Sequence, residues 1–207
     1  MKKTFTLILL LTINTILNAQ CWQSVSAGQH HTLAIKTDGT LWAWGRNTYG
    51  QLGDGTNADK NIPTQIGSDN NWSSISAGGI DYLDFSLAIK TDGTLWAWGR
   101  NNEAQLGNGN YTSTNTPIQI GNSTDWRSIS AGGNFSVAIK TNGTLWTWGL
   151  NNYGQLGLGN SAIIGKSSPF QIGTVNTWDK VELGDYFALA IKADGTLWSW
   201  GRNEKGQ

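Results

Sequence analysis

Cysteine, proline, charge and helical periodicity are all scarce in this 207-residue chain. Cys21 is the only cysteine, so no internal disulfide framework can staple the fold. Charged residues make up 14% of the chain, 14 basic against 14 acidic. Lys2 and Lys3 stand in an N-terminal leader; without them 12 basic residues face 14 acidic ones, a net charge of about −2. Such a surface offers no broad attraction to a phosphate backbone, so nucleic acid is not an expected partner. No apolar run is long and pure enough for a comfortable membrane span, and no membrane association of the processed chain is expected. Convincing helical periodicity is missing after the leader.

Ligands for chemistry are scarce as well. His30 and His31 are the only histidines and are adjacent, so in a strand their side chains point to opposite faces. A zinc site needs three or four convergent ligands, and a Cys–His nucleophile needs an orienting third group; neither set can be named. The oxygen-rich stretch from Asp54 to Asn61 lacks the glycine and terminal Glu of a calcium loop and reads as a polar turn. No catalytic residue, metal or cofactor is expected, and the chain reads as non-enzymatic.

What the sequence does hold is 27 glycines and 12 tryptophans. That many aromatics exclude a disordered linker. The leader, residues 1–20, has the basic start, apolar centre and small Ala19 of a signal peptide, with cleavage expected after Ala19 or Gln20. Secretion, to the periplasm or beyond, is the expected destination. Gln20 before Cys21 speaks against lipidation.

Internal repetition dominates the rest. Trp22, Trp72, Trp126 and Trp178 recur at steps of 50, 54 and 52 residues. Each opens a unit with a segment close to S-A-G, then A-I-K, a turn and a Trp pair. The units run over about 22–71, 72–125, 126–177 and 178–207, the last cut short inside a loop that the others complete. Four leading and eight paired tryptophans account for all 12.

Within the first unit, strands are expected over Trp22–Ala27, His31–Lys36 and Leu41–Trp44, with a weaker fourth following Pro63. Asp38-Gly39, with Asp92-Gly93, Asn142-Gly143 and Asp194-Gly195, suits a type I′ hairpin turn. Leu41 and Ala43 point one way and Trp42 and Trp44 the other, so both faces are apolar and both need cover. Without helices, neighbouring copies must supply that cover. Sheets stacked around an axis make a propeller, which fits these hairpin units better than a β-solenoid. Small Ala34, Ala88, Ala138 and Ala190 are expected where blades crowd near the axis, and the tryptophans further out.

The segments A-G-Q-H-H-T-L-A-I, D-G-T-L-W-A-W-G-R-N and G-Q-L-G-D-G closely resemble the repeat of the regulator of chromosome condensation family, over about Trp22 to Gln207. The resemblance implies an all-β propeller of four-stranded antiparallel blades, here a partial ring with its fourth repeat truncated. Open blade edges on such a ring invite self-association. His31 matches the family's histidine, but Phe85, Phe135 and Phe187 fill that slot later, which argues for packing over chemistry.

Two features stand out as candidate partner contacts. The second unit spans 24 residues from Trp72 to Trp96 against 20 in the others, an insertion around Ile80, Asp81, Tyr82 and Leu83, with Asp84 beside it. Tyr111 is the second, in a loop that varies while the strands repeat. The resulting expectation is a secreted scaffold that binds another protein. The resemblance also implies two alternatives: guanine-nucleotide exchange on a small GTPase, which the leader opposes, and inhibition of another enzyme by loop contacts.

Overall fold

The computed structural model describes residues 21–159 and 164–207; the expected leader lies outside them. Every regular element described is a strand. The first sheet holds β1 (Trp22–Ala27), β2 (His31–Lys36), β3 (Leu41–Gly45) and β4 (Lys60–Gln65). The second holds β5 (Trp72–Gly78), β6 (Phe85–Lys90), β7 (Leu95–Gly99) and β8 (Thr114–Gln119). The third holds β9 (Trp126–Ala131), β10 (Phe135–Lys140), β11 (Leu145–Leu150) and β12 (Gly165–Gln171). The fourth has β13 (Trp178–Leu183), β14 (Phe187–Lys192) and β15 (Leu197–Gly201). Each is an antiparallel meander in sequence order, and all four share one register: Ala34, Ala88, Ala138 and Ala190 pair with Trp42, Trp96, Trp146 and Trp198.

Period-two patterning decides how the sheets stack. Leu33, Ile35, Leu41 and Ala43 of the first sheet form one buried cluster with Trp72, Ala77, Ala88 and Trp98 of the second. Phe85, Leu87, Ile89 and Leu95 meet Trp126, Ala138 and Trp148 in the same way. The third and fourth sheets repeat it with Phe135, Val137 and Ile139 against Trp178, Val181 and Ala190. Each sheet thus buries its aliphatic face under the tryptophan face of the next, as propeller blades do. A lysine at the end of the second strand caps every cluster at the end opposite the β1–β2 loops. Lys90 stands over the rings of Trp72 and Trp96 at 4.7 and 3.9 Å, and Lys140 and Lys192 repeat the arrangement.

Three expectations need correction. The β2–β3 turn is not type I′: Gly39 has φ +80° while Asp38 is not left-handed. Gly39 N–H bonds to Lys36 C=O, and Lys36 N–H to Thr40 C=O, a three-residue loop closed by a glycine bulge. The reason is the Asp38 side chain. Its carboxylate accepts from the Thr40 N–H at 3.0 Å and hydroxyl at 2.6 Å, and Thr40 Oγ1 in turn accepts from the Trp42 indole. Second, the fourth strands begin before their prolines, which is allowed because an edge strand leaves one row of N–H groups unused.

Third, the alanines of the second strands do not sit nearest the axis. The first strands do: β1, β5, β9 and β13 contact one another in succession. Ser26, Ser76 and Ser130 stitch them, each hydroxyl accepting from the N–H of Ala77, Ala131 and Leu183 respectively, at 3.0–3.1 Å. Serine and alanine suit this crowded line, while the second-strand alanines make room under the tryptophans of their own sheet.

The array is an open partial ring. Trp22 and Val25 on the outer face of the first sheet are 47% and 68% exposed, and Leu197 on the fourth is 66% exposed. Trp72 and Trp126, in the slot of Trp22, are buried.

Candidate functional site

In a meander, alternate connections leave from the same end. The β1–β2 and β3–β4 loops, with their counterparts, therefore share one end of the stack. The G-Q-L-G segments at this end fasten neighbouring sheets. Gln51 C=O accepts from the Trp98 indole at 2.8 Å and the Ser86 hydroxyl at 2.7 Å, both one unit further on. Gln105 C=O accepts likewise from Trp148 and Ser136, and Gln155 C=O from Trp200. The Gln side chains reach across too: Gln51 Nε2 donates to Asp84 and Gln105 Nε2 to Asn134. Asn47 and Asn101 hold each loop's curve by accepting from the N–H of Leu52 and Leu106 and donating to carbonyls further along.

His31 belongs to this fastening. It is buried, and its Nε2 lies 2.9 Å from Ser86 Oγ. Because Ser86 donates to Gln51 C=O, its oxygen is left to accept, which places the imidazole proton on Nε2. Burial, with a smaller contribution from neighbouring His30, pushes the His31 pKa down to about 3. A neutral ring locked in the core explains why Phe85, Phe135 and Phe187 can occupy the same slot.

The inserted loop of the second unit rises beside this junction. Asp81 and Tyr82 sit in the left-handed region, with φ 51° and 69°, which costs non-glycine residues energy and persists only when surroundings enforce it. The enforcement is visible. Tyr82 N–H donates to Gln29 Oε1, its ring stacks on His30 with centroids 4.2 Å apart, and the Arg46 guanidinium lies 4.7 Å from its centroid. His30 Nδ1 lies 3.4 Å from Asp84 Oδ2. Tyr82 nevertheless remains 58% exposed. Asp84 is fully buried, so it cannot touch a partner directly; it steadies His30 from beneath. Burial raises its pKa, against the pull of His30 and Arg46. Ile80 leans on Gly133 of the third unit, while Asp81 is exposed. Tyr111 is 66% exposed on the β7–β8 connection, at the same end but on a separate loop.

Sequence reasoning missed His30, Arg46, Gln51 and Arg100 as parts of this surface. A signal was present: arginine follows the last glycine of the third strand at Arg46, Arg100 and Arg202. Arg202 stands over Tyr153 and Tyr186, at 5.1 and 5.7 Å. In the exposed oxygen-rich segment only the Asp54 carboxylate is turned inward, engaged by Asn47, Thr56 and Lys60. Among the described residues no group of three or more His, Cys, Asp or Glu is placed to hold a metal ion.

Stacked four-stranded meanders with aromatic and arginine-bearing loops at one end define a β-propeller repeat protein. The family is given by two models of the Regulator of chromosome condensation (RCC1) repeat. One matches residues 38–80, 92–139 and 142–191; the other matches 22–51, 72–105, 126–155 and 178–207. The chain belongs to the RCC1 repeat family. It is 35% identical to the Regulator of chromosome condensation of Xenopus laevis over 121 residues, 56% of this chain and 28% of that protein. It is 36% identical to the Ultraviolet-B receptor UVR8 of Arabidopsis thaliana over 95 residues, 45% of this chain and 21% of the receptor. Human WBSCR16 superposes with a TM-score of 0.77 at 26% identity, covering 89% of this chain and 48% of that one. Yeast RCC1 (Prp20), solved bound to Kap60, shares the fold with a TM-score of 0.78 at 20% identity, covering 88% and 44%. The chain spans less than a third of the length of these two curated relatives.

Proposed function

We propose that this chain is a non-catalytic, exported scaffold that binds another protein through the loop end of its sheets. One observation carries the reading: Tyr82 is held in a strained backbone by Gln29, His30 and Arg46, yet presents most of its ring to solvent. A rigid, exposed tyrosine beside arginine is the composition of a binding hot spot, since little ordering entropy remains to be lost on contact. Exposed Asp81 and Tyr111 extend the surface, and Ile80 and Asp84 support it. Relatives are consistent with protein binding, since yeast RCC1 (Prp20) has been solved bound to Kap60.

Partner capture from culture medium or periplasmic extract, with the purified chain as bait, tests this. Tyr82→Ala should weaken capture by about 2 kcal/mol or more, the range of a hot-spot tyrosine. Undiminished recovery would remove the site. Export is tested by sequencing the N-terminus of the protein recovered outside the cytoplasm, which should start at Gln20 or Cys21. The exposed apolar faces of the first and fourth sheets provide a route to self-association. Light scattering should show mass rising with concentration, and Leu197→Lys should reduce the rise.

A further inference from the structure

We propose that Arg100 receives a carboxylate carried by an acidic segment of the partner protein. This rests on the loop end being a protein-binding surface, and adds the chemistry that the surface recognises.

Equivalent junctions between units differ in charge. The residue after each third strand's last glycine bonds through its N–H to the carbonyl preceding the second strand of its own unit: Arg46 to His30, Arg100 to Asp84, Leu150 to Asn134. Across each junction lies the same slot of the next unit. Between the first and second units that slot holds Asp84, whose carboxylate feels the charge of Arg46 and accepts from Gln51. Between the second and third it holds Asn134, which accepts from Gln105 in the same way and from Arg100 Nη1 at 3.4 Å. The geometry is repeated but the negative charge is gone.

Arg100 is therefore a cation without a counter-ion. It is only 9% exposed. No carboxylate forms an ion pair with it among the described residues, whereas Arg127 pairs with Asp179 and Arg202 with Glu204. Its Nε is enclosed and has no hydrogen-bond partner. The Tyr49 ring, 5.8 Å from the guanidinium, and one long bond to an amide do not offset the loss of water around a charge. Nη2 makes no hydrogen bond and, unlike Nε, is not fully enclosed. A carboxylate matches a guanidinium in charge and in the planar geometry of its two oxygens.

The surroundings favour a chain segment over a free ion. Tyr49, which stands beside Arg100, also lines a polar cavity of about 360 Å³ with Thr48, Asn57, Ser113, Thr114 and Asn115. It runs between loops of the first two units and offers hydroxyl and amide groups to an extended backbone.

Fluorescence anisotropy with labelled hexaglutamate, and hexaglutamine as control, tests the proposal on the full chain. Wild-type protein should bind hexaglutamate at least about tenfold more tightly than hexaglutamine, the scale of a specific charge pair. Asn134→Asp supplies the missing charge internally. It should raise the melting temperature and weaken hexaglutamate binding about tenfold. Arg100→Met should weaken binding equally without lowering the melting temperature. Undiminished binding by Asn134→Asp overturns the proposal, as does equal competition by inorganic phosphate. Loss of several degrees of stability in Arg100→Met would do so too, by making Arg100 a structural cation. If hexaglutamate fails while Tyr82→Ala still weakens partner capture, the acidic partner is refuted and the scaffold reading stands.

Discussion

At the scale of single residues, one slot serves two chemistries. His31 fills with a neutral imidazole the space that Phe85, Phe135 and Phe187 fill with hydrocarbon. Folding holds its pKa at about 3, below the ordinary 6.5. Between those values the unfolded chain binds the extra proton, so stability is complete above the unfolded pKa and falls as pH drops through this window. The slope approaches roughly a factor of ten in the folding constant per pH unit. His31→Phe should remove this component, which thermal melts from pH 4 to 8 on both proteins would reveal. Asp84, raised by burial, works in the opposite direction, so only the difference between the two proteins isolates His31.

Glycine 107 shows the same dependence on place. Its φ is +77°, and a Cβ there would stand 2.7 Å from Trp148 Nε1. Gly121 has φ +63° with open space around it. Gly107→Ala should cost about 2 kcal/mol or more, from backbone strain plus overpacking, and Gly121→Ala about 1 kcal/mol from the backbone alone. Urea titrations would separate them. Sequence shows both as glycines; only the neighbouring sheet distinguishes them.

Elements here are defined by what fastens them. Trp98, Trp148 and Trp200, second in their pairs, each donate to the Gln carbonyl of the preceding unit. Trp44, in the first sheet, makes no such bond among the described residues. Trp148→Phe should therefore destabilise by about 1–3 kcal/mol, from a lost buried hydrogen bond and a partly emptied site. Trp44→Phe should cost less than half as much in the same denaturant assay. The hairpins and the alternation of faces were legible because a period of two admits one assignment once both faces are apolar; the register was not, since a two-residue Asp38-Gly39 turn would set Ile35 opposite Trp42, whereas Ile35 pairs with Leu41. The turn type was not, since Asp-Gly suits type I′ and the observed bulged loop alike until the Asp38 carboxylate is seen to bond Thr40. Of the candidate site, the insertion showed as a break in spacing. The junction slots shared by Arg46 with Asp84 and by Arg100 with Asn134 did not, because their members lie in different units.

For the whole molecule, each sheet depends on its neighbours, so stability is nearly one-dimensional. The second and third sheets are covered on both faces, while the first and fourth each leave one apolar face open. Hydrogen exchange should find the slowest amides in β6 and β10 and faster exchange in β2 and β14. Uniform protection across all four sheets would contradict nearest-neighbour coupling.

The chain by itself determined the repeat length, the strands and the need for copies to cover copies, because spacing and alternation are local properties. Tertiary structure alone decided which strand lies innermost, which glycines have no room for a side chain and which junction arginine faces an amide where its counterpart faces a carboxylate. Those depend on the distance between residues about fifty positions apart, and only the stacking of one sheet on the next sets that distance.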